Sequence, residues 1–363
     1  MSTSTPIVTR RHVLSALLSF AMLCGQLSAQ KAASNEQAAA RPKIRVVATL
    51  PILADLARQV GGDQVEVRSL GKGWEDPHMI LPTPSLMTAV SKADLFIELG
   101  LSLELWAEKV LDGARNPKIR RGAKGHVFAS KGMPVLQVPG NLSRSEGDLH
   151  PDGNPHVWMD PARWGLLATQ IEQGLERVAP ARARRFQANL ADFQHKVDIA
   201  LYGKPLVELL GGKVLNRLAL GGRLCNFIET KKYKGKPLSD SLGGWMKKAL
   251  PLRGKKILFY HQSWVYFTNR YGLRVIDFVE EKPGIAPPAS HKTKLLKEIR
   301  ENAVRVLGQQ TYYDDSIGKA LAREAGIRVV ILPGMPEAVP EAKDVFSFMD
   351  CILDRLLKAY GKE

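Results

Sequence analysis

The chain of 363 residues is long enough for two domains of ordinary size, and its hydrophobic fraction of 45% is typical of a globular protein. Its net charge of +16 at pH 7 would suit a nucleic acid or another anionic partner. The basic residues are scattered, however, and no nucleic-acid-binding motif accompanies them. We therefore expect a solvated basic surface and no nucleic-acid partner.

Residues 1–29 have the order of an export signal. Arg10 and Arg11 precede an apolar run at residues 13–23, and small residues follow it. Both the Sec route and the twin-arginine route fit this pattern. Leu23 stands where a lipid-attachment site requires a small residue, so we do not expect anchoring through Cys24. Residues 30–42 are small and polar and predict a flexible tether. The export signal places the rest of the chain in the periplasm.

Strand and helix patterns then alternate. Strands are predicted at residues 44–49, 65–70 and 94–99, with helices at residues 52–60 and 84–90 between them. This order is typical of a parallel sheet with flanking helices and defines an N-terminal α/β lobe at residues 43–161.

A long helical stretch, broken near Pro180, is predicted at residues 162–201. Residues 202–363 form a second α/β lobe, with predicted strands at residues 257–260, 274–279, 304–308 and 328–332. A segment rich in Gly and Lys at residues 203–252 interrupts this lobe and has no assigned role. Cys225 and Cys351 fit either one disulfide or two free thiols.

Three of the eight histidines are placed to form one site. His78 and His156 each follow a proline, which stiffens the loop, and His261 directly follows a predicted strand. Because ligands bind beyond the carboxyl ends of strands in open α/β sheets, the three imidazoles are expected to meet in one cleft. Three imidazoles from distant parts of a chain are typical of a zinc site.

The segments around these histidines resemble the zinc- and manganese-specific solute-binding proteins of ABC importers. The resemblance runs in order from about Lys43 to the C-terminus and is carried by the segments DPH at 76–78, SKADLFI at 91–97, LGLSLE at 99–104, NPHVWMDP at 154–161 and HQSWVYF at 261–267.

This resemblance implies two lobes joined by one long rigid helix, with the metal in the cleft between them. It makes His78, His156 and His261 the metal ligands and a membrane ABC permease the partner of a monomeric receptor.

Neutral imidazoles favour Zn²⁺, and Mn²⁺ is the alternative. No general base is evident beside the histidines, so we do not expect an enzyme. A zinc hydrolase with an open three-histidine site and an adhesion protein with a structural metal are the competing functions.

The fourth ligand departs from the family pattern. The loop after the last strand lacks the usual acid, which leaves water or one of four carboxylates, namely Glu281, Asp314, Asp315 and Glu337. Asp160 is expected to orient a histidine, and Trp158, Trp264, Tyr266 and Phe267 to shield the site. His150, in an acidic loop, either collects metal or is simply solvated, and His126, His195 and His291 are expected outside the site.

Overall fold

The computed structural model describes residues 42–139, 150–280 and 287–361. The first lobe is a four-stranded parallel sheet in the order β2-β1-β3-β4, built from β1 (Ile44–Ala48), β2 (Val65–Ser69), β3 (Leu95–Glu98) and β4 (His126–Phe128). Its helices are α1 (Pro51–Gly61), α2 (Pro84–Ser91) and α3 (Ala107–Ala114). Val46 and Val47 on β1 enter different apolar clusters, so both faces of the sheet are covered.

Two helices follow the first lobe, α4 (Trp164–Val178) and α5 (Ala183–Tyr202). The predicted break is confirmed, because a 3-10 turn at Pro180–Arg182 separates them. Both helices pack against α1. The helix α5 also packs against the helix α9 (Gly244–Lys248), which comes later in the chain. The helix α5 therefore contacts elements on both sides of the connection.

The predicted insertion folds into short elements rather than a regular layer. It contains α6 (Lys204–Leu210), α7 (Gly212–Leu220), α8 (Leu224–Thr230) and an antiparallel hairpin of β5 (Lys232–Tyr233) and β6 (Lys236–Pro237), before α9. Cys225 on α8 and Cys351 are free thiols, so the described residues contain no disulfide.

The second lobe repeats the parallel architecture. Its sheet has the order β10-β9-β7-β8 and consists of β7 (Lys256–Phe259), β8 (Arg274–Phe278), β9 (Val306–Gln310) and β10 (Arg328–Leu332). Its helices are α10 (Val265–Tyr271), α11 (Ala289–Asn302), α12 (Asp315–Ala325) and α13 (Val345–Gly361). Two parallel α/β sheets joined by a helical connection agree with the predicted fold class.

One apolar cluster extends from the first sheet through α5 into the second lobe. It includes Val46, Phe193 and Phe259, all 1% exposed or less. Because both lobes contribute to this close-packed cluster, we expect large rigid-body movements between them to be unfavourable. None of the helices in the described ranges has the length and apolar character needed to traverse a bilayer.

Candidate metal centre

The structure brings the three predicted histidines together. One ring nitrogen from each of His78, His156 and His261 lies within 4.8 Å of the other two. The ring centroids are 5.2 Å apart for His78 and His156, 5.6 Å for His78 and His261, and 5.5 Å for His156 and His261. All three side chains are largely buried. The cluster combines the donor type and the number of donors that zinc-type metals bind.

The same local sequence positions His78 and His156. In both segments an Asp or Asn precedes Pro-His, and its Oδ1 accepts two hydrogen bonds from the histidine two residues later. Asp76 Oδ1 accepts from the backbone N of His78 at 2.9 Å and from its Nδ1 at 2.8 Å. Asn154 Oδ1 does the same for His156, at 3.1 and 3.0 Å. Each imidazole is thereby fixed with its other nitrogen, Nε2, turned away from the loop.

The orientation of Asn154 is itself fixed by its surroundings. Its Nδ2 donates to Gln137 Oε1 at 2.9 Å and to the backbone O of Gln262 at 2.8 Å. Its Oδ1 is therefore the acceptor, and Nδ1 of His156 carries the proton. In the neutral imidazole this leaves a lone pair on Nε2. That atom is buried and has no hydrogen-bond partner among the described residues.

His261 is held from the second lobe. It lies just after β7, separated from the strand only by Tyr260, in agreement with the prediction. Its Nδ1 lies 2.8 Å from Glu280 Oε2. Glu280 comes from the adjacent strand end and bonds through its backbone N to Tyr260 O at 2.9 Å. A carboxylate behind a ligating imidazole fixes its tautomer and raises its basicity.

Burial and charge keep the site ready to bind a cation. Burial, followed by the charges of His78 and His261, lowers the pKa of His156 well below its ordinary value of 6.5, so this imidazole stays neutral. Burial by itself would raise the pKa of Asp76, but the hydrogen bond and charge of His78 outweigh it and hold that pKa below its usual range. Burial, with Asp76 and Glu280 nearby, raises the pKa of Tyr312 and keeps it a neutral phenol.

The expectation that Asp160 orients a histidine was wrong. Its Oδ1 and Oδ2 accept from Arg270 Nε at 2.8 Å and from Arg270 Nη2 at 2.7 Å, and Oδ1 also caps the turn at Ala162 N. The strong, bidentate preference of a buried guanidinium for a carboxylate accounts for this arrangement. The residues behind the ligands are instead Asp76, Asn154 and Glu280. The repeated Asx-Pro-His sequence could have indicated the first two.

The carboxylates considered as a fourth ligand have other partners. Asp314 Oδ1 accepts from the backbone N of Ser316 at 2.7 Å, and Asp315 pairs with Lys319. Glu337 Oε1 lies 3.6 Å from Arg58 Nη1 at the surface. Glu281 lies outside the described residues. Within the described ranges, the metal-compatible group of acids, cysteines and histidines contains only the three histidines.

The other histidines divide into two kinds. His150 reaches the site, with its Nε2 3.3 Å from His78 Nε2. His126 and His291 are buried elsewhere, hydrogen-bonded to Glu98 and to the backbone O of Phe278, and His195 is exposed on α5, as expected.

The predicted aromatic residues are core residues that also support the site. Trp158, Trp264, Tyr266 and Phe267 are each 1% exposed or less. The Trp158 ring centroid is 5.2 Å from that of His156, and its Nε1 donates to Gly334 O at 2.9 Å. Tyr266 donates its hydroxyl proton to Asn154 O at 2.6 Å, so the second lobe fixes the loop that carries His156.

Comparison with known proteins agrees with this architecture. Residues 46–200 and 238–359 match the family described as the periplasmic zinc-uptake complex component A, ZnuA. The unmatched residues 201–237 coincide with α6 to α8 and the small hairpin.

Individual relatives bind different metals according to their names. The manganese ABC transporter substrate-binding lipoprotein PsaA of Streptococcus anginosus is 22% identical, over 91% of this chain and 94% of its own. The iron-binding protein YfeA of Yersinia pestis is 22% identical, over 96% of both chains. A crystal structure of ZnuA superposes with a TM-score of 0.64 and 21% identity, over 87% of this chain and 99% of that chain, which shows a shared fold.

Proposed function

This chain belongs to the family of periplasmic zinc-uptake components, and we propose that it captures a divalent transition metal outside the cytoplasm and delivers it to an ABC import permease. Members of the family are metal-binding transport proteins and not enzymes. The metal is therefore cargo, and the task of the chain is to bind it tightly and to release it.

The observation that carries the proposal is the set of three converging imidazoles, each with its second nitrogen already engaged. Asp76, Asn154 and Glu280 accept from Nδ1 of His78, His156 and His261, which leaves the Nε2 atoms to bind. The buried Nε2 of His156, with no partner among the described residues, needs a proton or a cation to satisfy it. A divalent metal meets that need for all three nitrogens together.

Zinc is the cargo that this donor set favours. Neutral imidazoles suit zinc, copper, iron and nickel, whereas manganese prefers carboxylate and carbonyl oxygens. Relatives named for manganese and for iron each align over at least 91% of this chain, so this similarity does not dictate the metal. We propose Zn²⁺ as the principal cargo and keep Mn²⁺ as the alternative.

Export fits this role, because a receptor has to meet external metal. We propose that residues 1–29 direct the chain to the periplasm, where it acts as a monomer. Lipid attachment at Cys24 is the competing arrangement, since the PsaA relative is named a lipoprotein. N-terminal sequencing and mass measurement of the mature protein separate the two: a free N-terminus near Gln30 supports release, and a lipid-modified Cys24 supports anchoring.

Metal analysis of the mature protein, purified without chelator, tests the function. We expect bound zinc that a chelator removes reversibly, with a folded apo form and no hydrolysis of ester or amide probes. Chelator-sensitive hydrolysis would support a metallohydrolase instead. Irreversible unfolding on chelation would support a structural metal.

A further inference from the structure

A fourth histidine lies against the three-histidine cluster. His150 Nε2 is 3.3 Å from His78 Nε2, and the two ring centroids are 5.3 Å apart. The His150 centroid is 6.3 Å from that of His156. His150 comes from the segment that precedes the Asn154-Pro155-His156 turn rather than from a strand of the second lobe.

The separation of the two Nε2 atoms has a direct meaning for a metal site. Nδ1 of His78 donates to Asp76, so in neutral His78 the lone pair is on Nε2 and faces His150. Two nitrogens that bind one tetrahedral zinc at about 2.0–2.1 Å lie about 3.3–3.4 Å apart. His78 and His150 already have this spacing. The ligand nitrogens of His78, His156 and His261 lie within 4.8 Å of one another. Each pair therefore needs to close by about 1.5 Å at most to reach the spacing around one zinc ion.

The backbone around His150 holds it near the cluster. Gly153 N donates to His150 O at 3.0 Å, and Asn154 N donates to Leu136 O at 2.9 Å. Gly153 has a φ of +99°, and a Cβ there would lie 2.5 Å from Val135 Cγ1, so the turn requires glycine. Ser102 Oγ also donates to Asp152 Oδ2 at 3.4 Å.

We propose that His150 is the fourth metal ligand and completes an all-imidazole shell with His78, His156 and His261. This inference rests on the proposed function, because it assumes that the cluster binds a transition metal. It removes the need for an acid from the second lobe, where Asp314, Asp315 and Glu337 are engaged with other groups. It also gives the site a selectivity, since four neutral nitrogens without a carboxylate favour zinc over manganese.

The test compares the His150→Ala, His261→Ala and His195→Ala variants of the mature protein in zinc titrations, with cobalt(II) spectra as a second readout. For His150→Ala we expect at least a 10-fold loss of zinc affinity, since even residues behind a ligand commonly contribute 10–100-fold. The tetrahedral visible spectrum of bound Co²⁺ should change as well. His195→Ala, in which the replaced histidine is exposed on α5, is the matched control and should bind like the parent.

A second variant tests the selectivity. His150→Asp supplies one carboxylate and should lower the ratio of zinc affinity to manganese affinity by at least about 10-fold. If His261→Ala weakens zinc binding while His150→Ala matches the parent in affinity and cobalt spectrum, then His150 is not a ligand and the proposed function stands. If the parent itself binds no zinc, the proposed function fails.

Discussion

Replacing Asp160 by Asn should destabilise the fold while leaving the metal site nearly intact. Both oxygens of Asp160 bond to the guanidinium of Arg270, at 2.7 and 2.8 Å, and the two side chains are 4% and 7% exposed. An amide keeps the size of the side chain but removes its charge, and its NH₂ faces a donor of Arg270. Removing one partner of a buried ion pair typically costs about 3–5 kcal/mol, because the other charge remains buried without compensation.

Urea unfolding of the metal-free protein measures this cost. The Asp160→Asn variant should lose about 3–5 kcal/mol in the free energy of unfolding. Asp192→Asn is the matched control, because Asp192 pairs with Lys196 on the surface of α5 with both side chains more than half exposed. Such surface pairs contribute about 1 kcal/mol or less. The zinc affinity of folded Asp160→Asn should stay close to that of the parent.

Two results would refute this reasoning. If Asp160→Asn unfolds at the same urea concentration as the control, the buried Asp160–Arg270 pair does not stabilise the fold as argued. If its stability is unchanged but zinc binding falls 10-fold or more, Asp160 orients a ligand after all.

Three further predictions concern the ligand supports and pH. Asp76→Asn and Glu280→Gln should each weaken zinc binding about 10–100-fold in calorimetric titrations without unfolding the protein, and parental affinity in both would show that the negative charge behind each histidine is dispensable. Zinc affinity should fall as the pH drops from about 7 to about 5, because a protonated imidazole cannot bind metal, and a flat profile would indicate a carboxylate site. Burial raises the pKa of Asp55 from 3.8 to about 6. Its protonated form therefore contributes up to about 3 kcal/mol at low pH, which is lost as the pH rises through about 6. Asp55→Asn, which can still accept from Val345 N, should remove that part of the pH dependence of unfolding, and a persisting dependence would assign it to another group.

Local sequence patterns predicted most of the architecture. Short runs of apolar residues placed β1 and β7 to within one residue, and Pro180 marked the break between α4 and α5. The prolines and the strand end before His261 placed three ligand candidates in one cleft. These features depend on neighbouring residues, which a sequence displays directly.

Contacts between distant residues could not be predicted in the same way. Asp160 lies only four residues after the candidate ligand His156 but pairs with Arg270, 110 residues away. The sequence alone does not tell which of the adjacent Glu280 and Glu281 points toward the site. Only the register of β8 with β7 shows that Glu280 reaches His261. The approach of His150 to His78, 72 residues earlier, likewise depends on how the loops pack.

The central claim is that buried imidazoles from both lobes bind one divalent metal. Zinc titration of the chelator-stripped mature protein by calorimetry, alongside its His156→Ala variant, tests it most directly. We predict that the parent binds a single equivalent of zinc and that the variant, still folded by circular dichroism, loses at least about 100-fold in affinity. A parent that binds no zinc, or a folded variant that binds it equally well, would contradict the account.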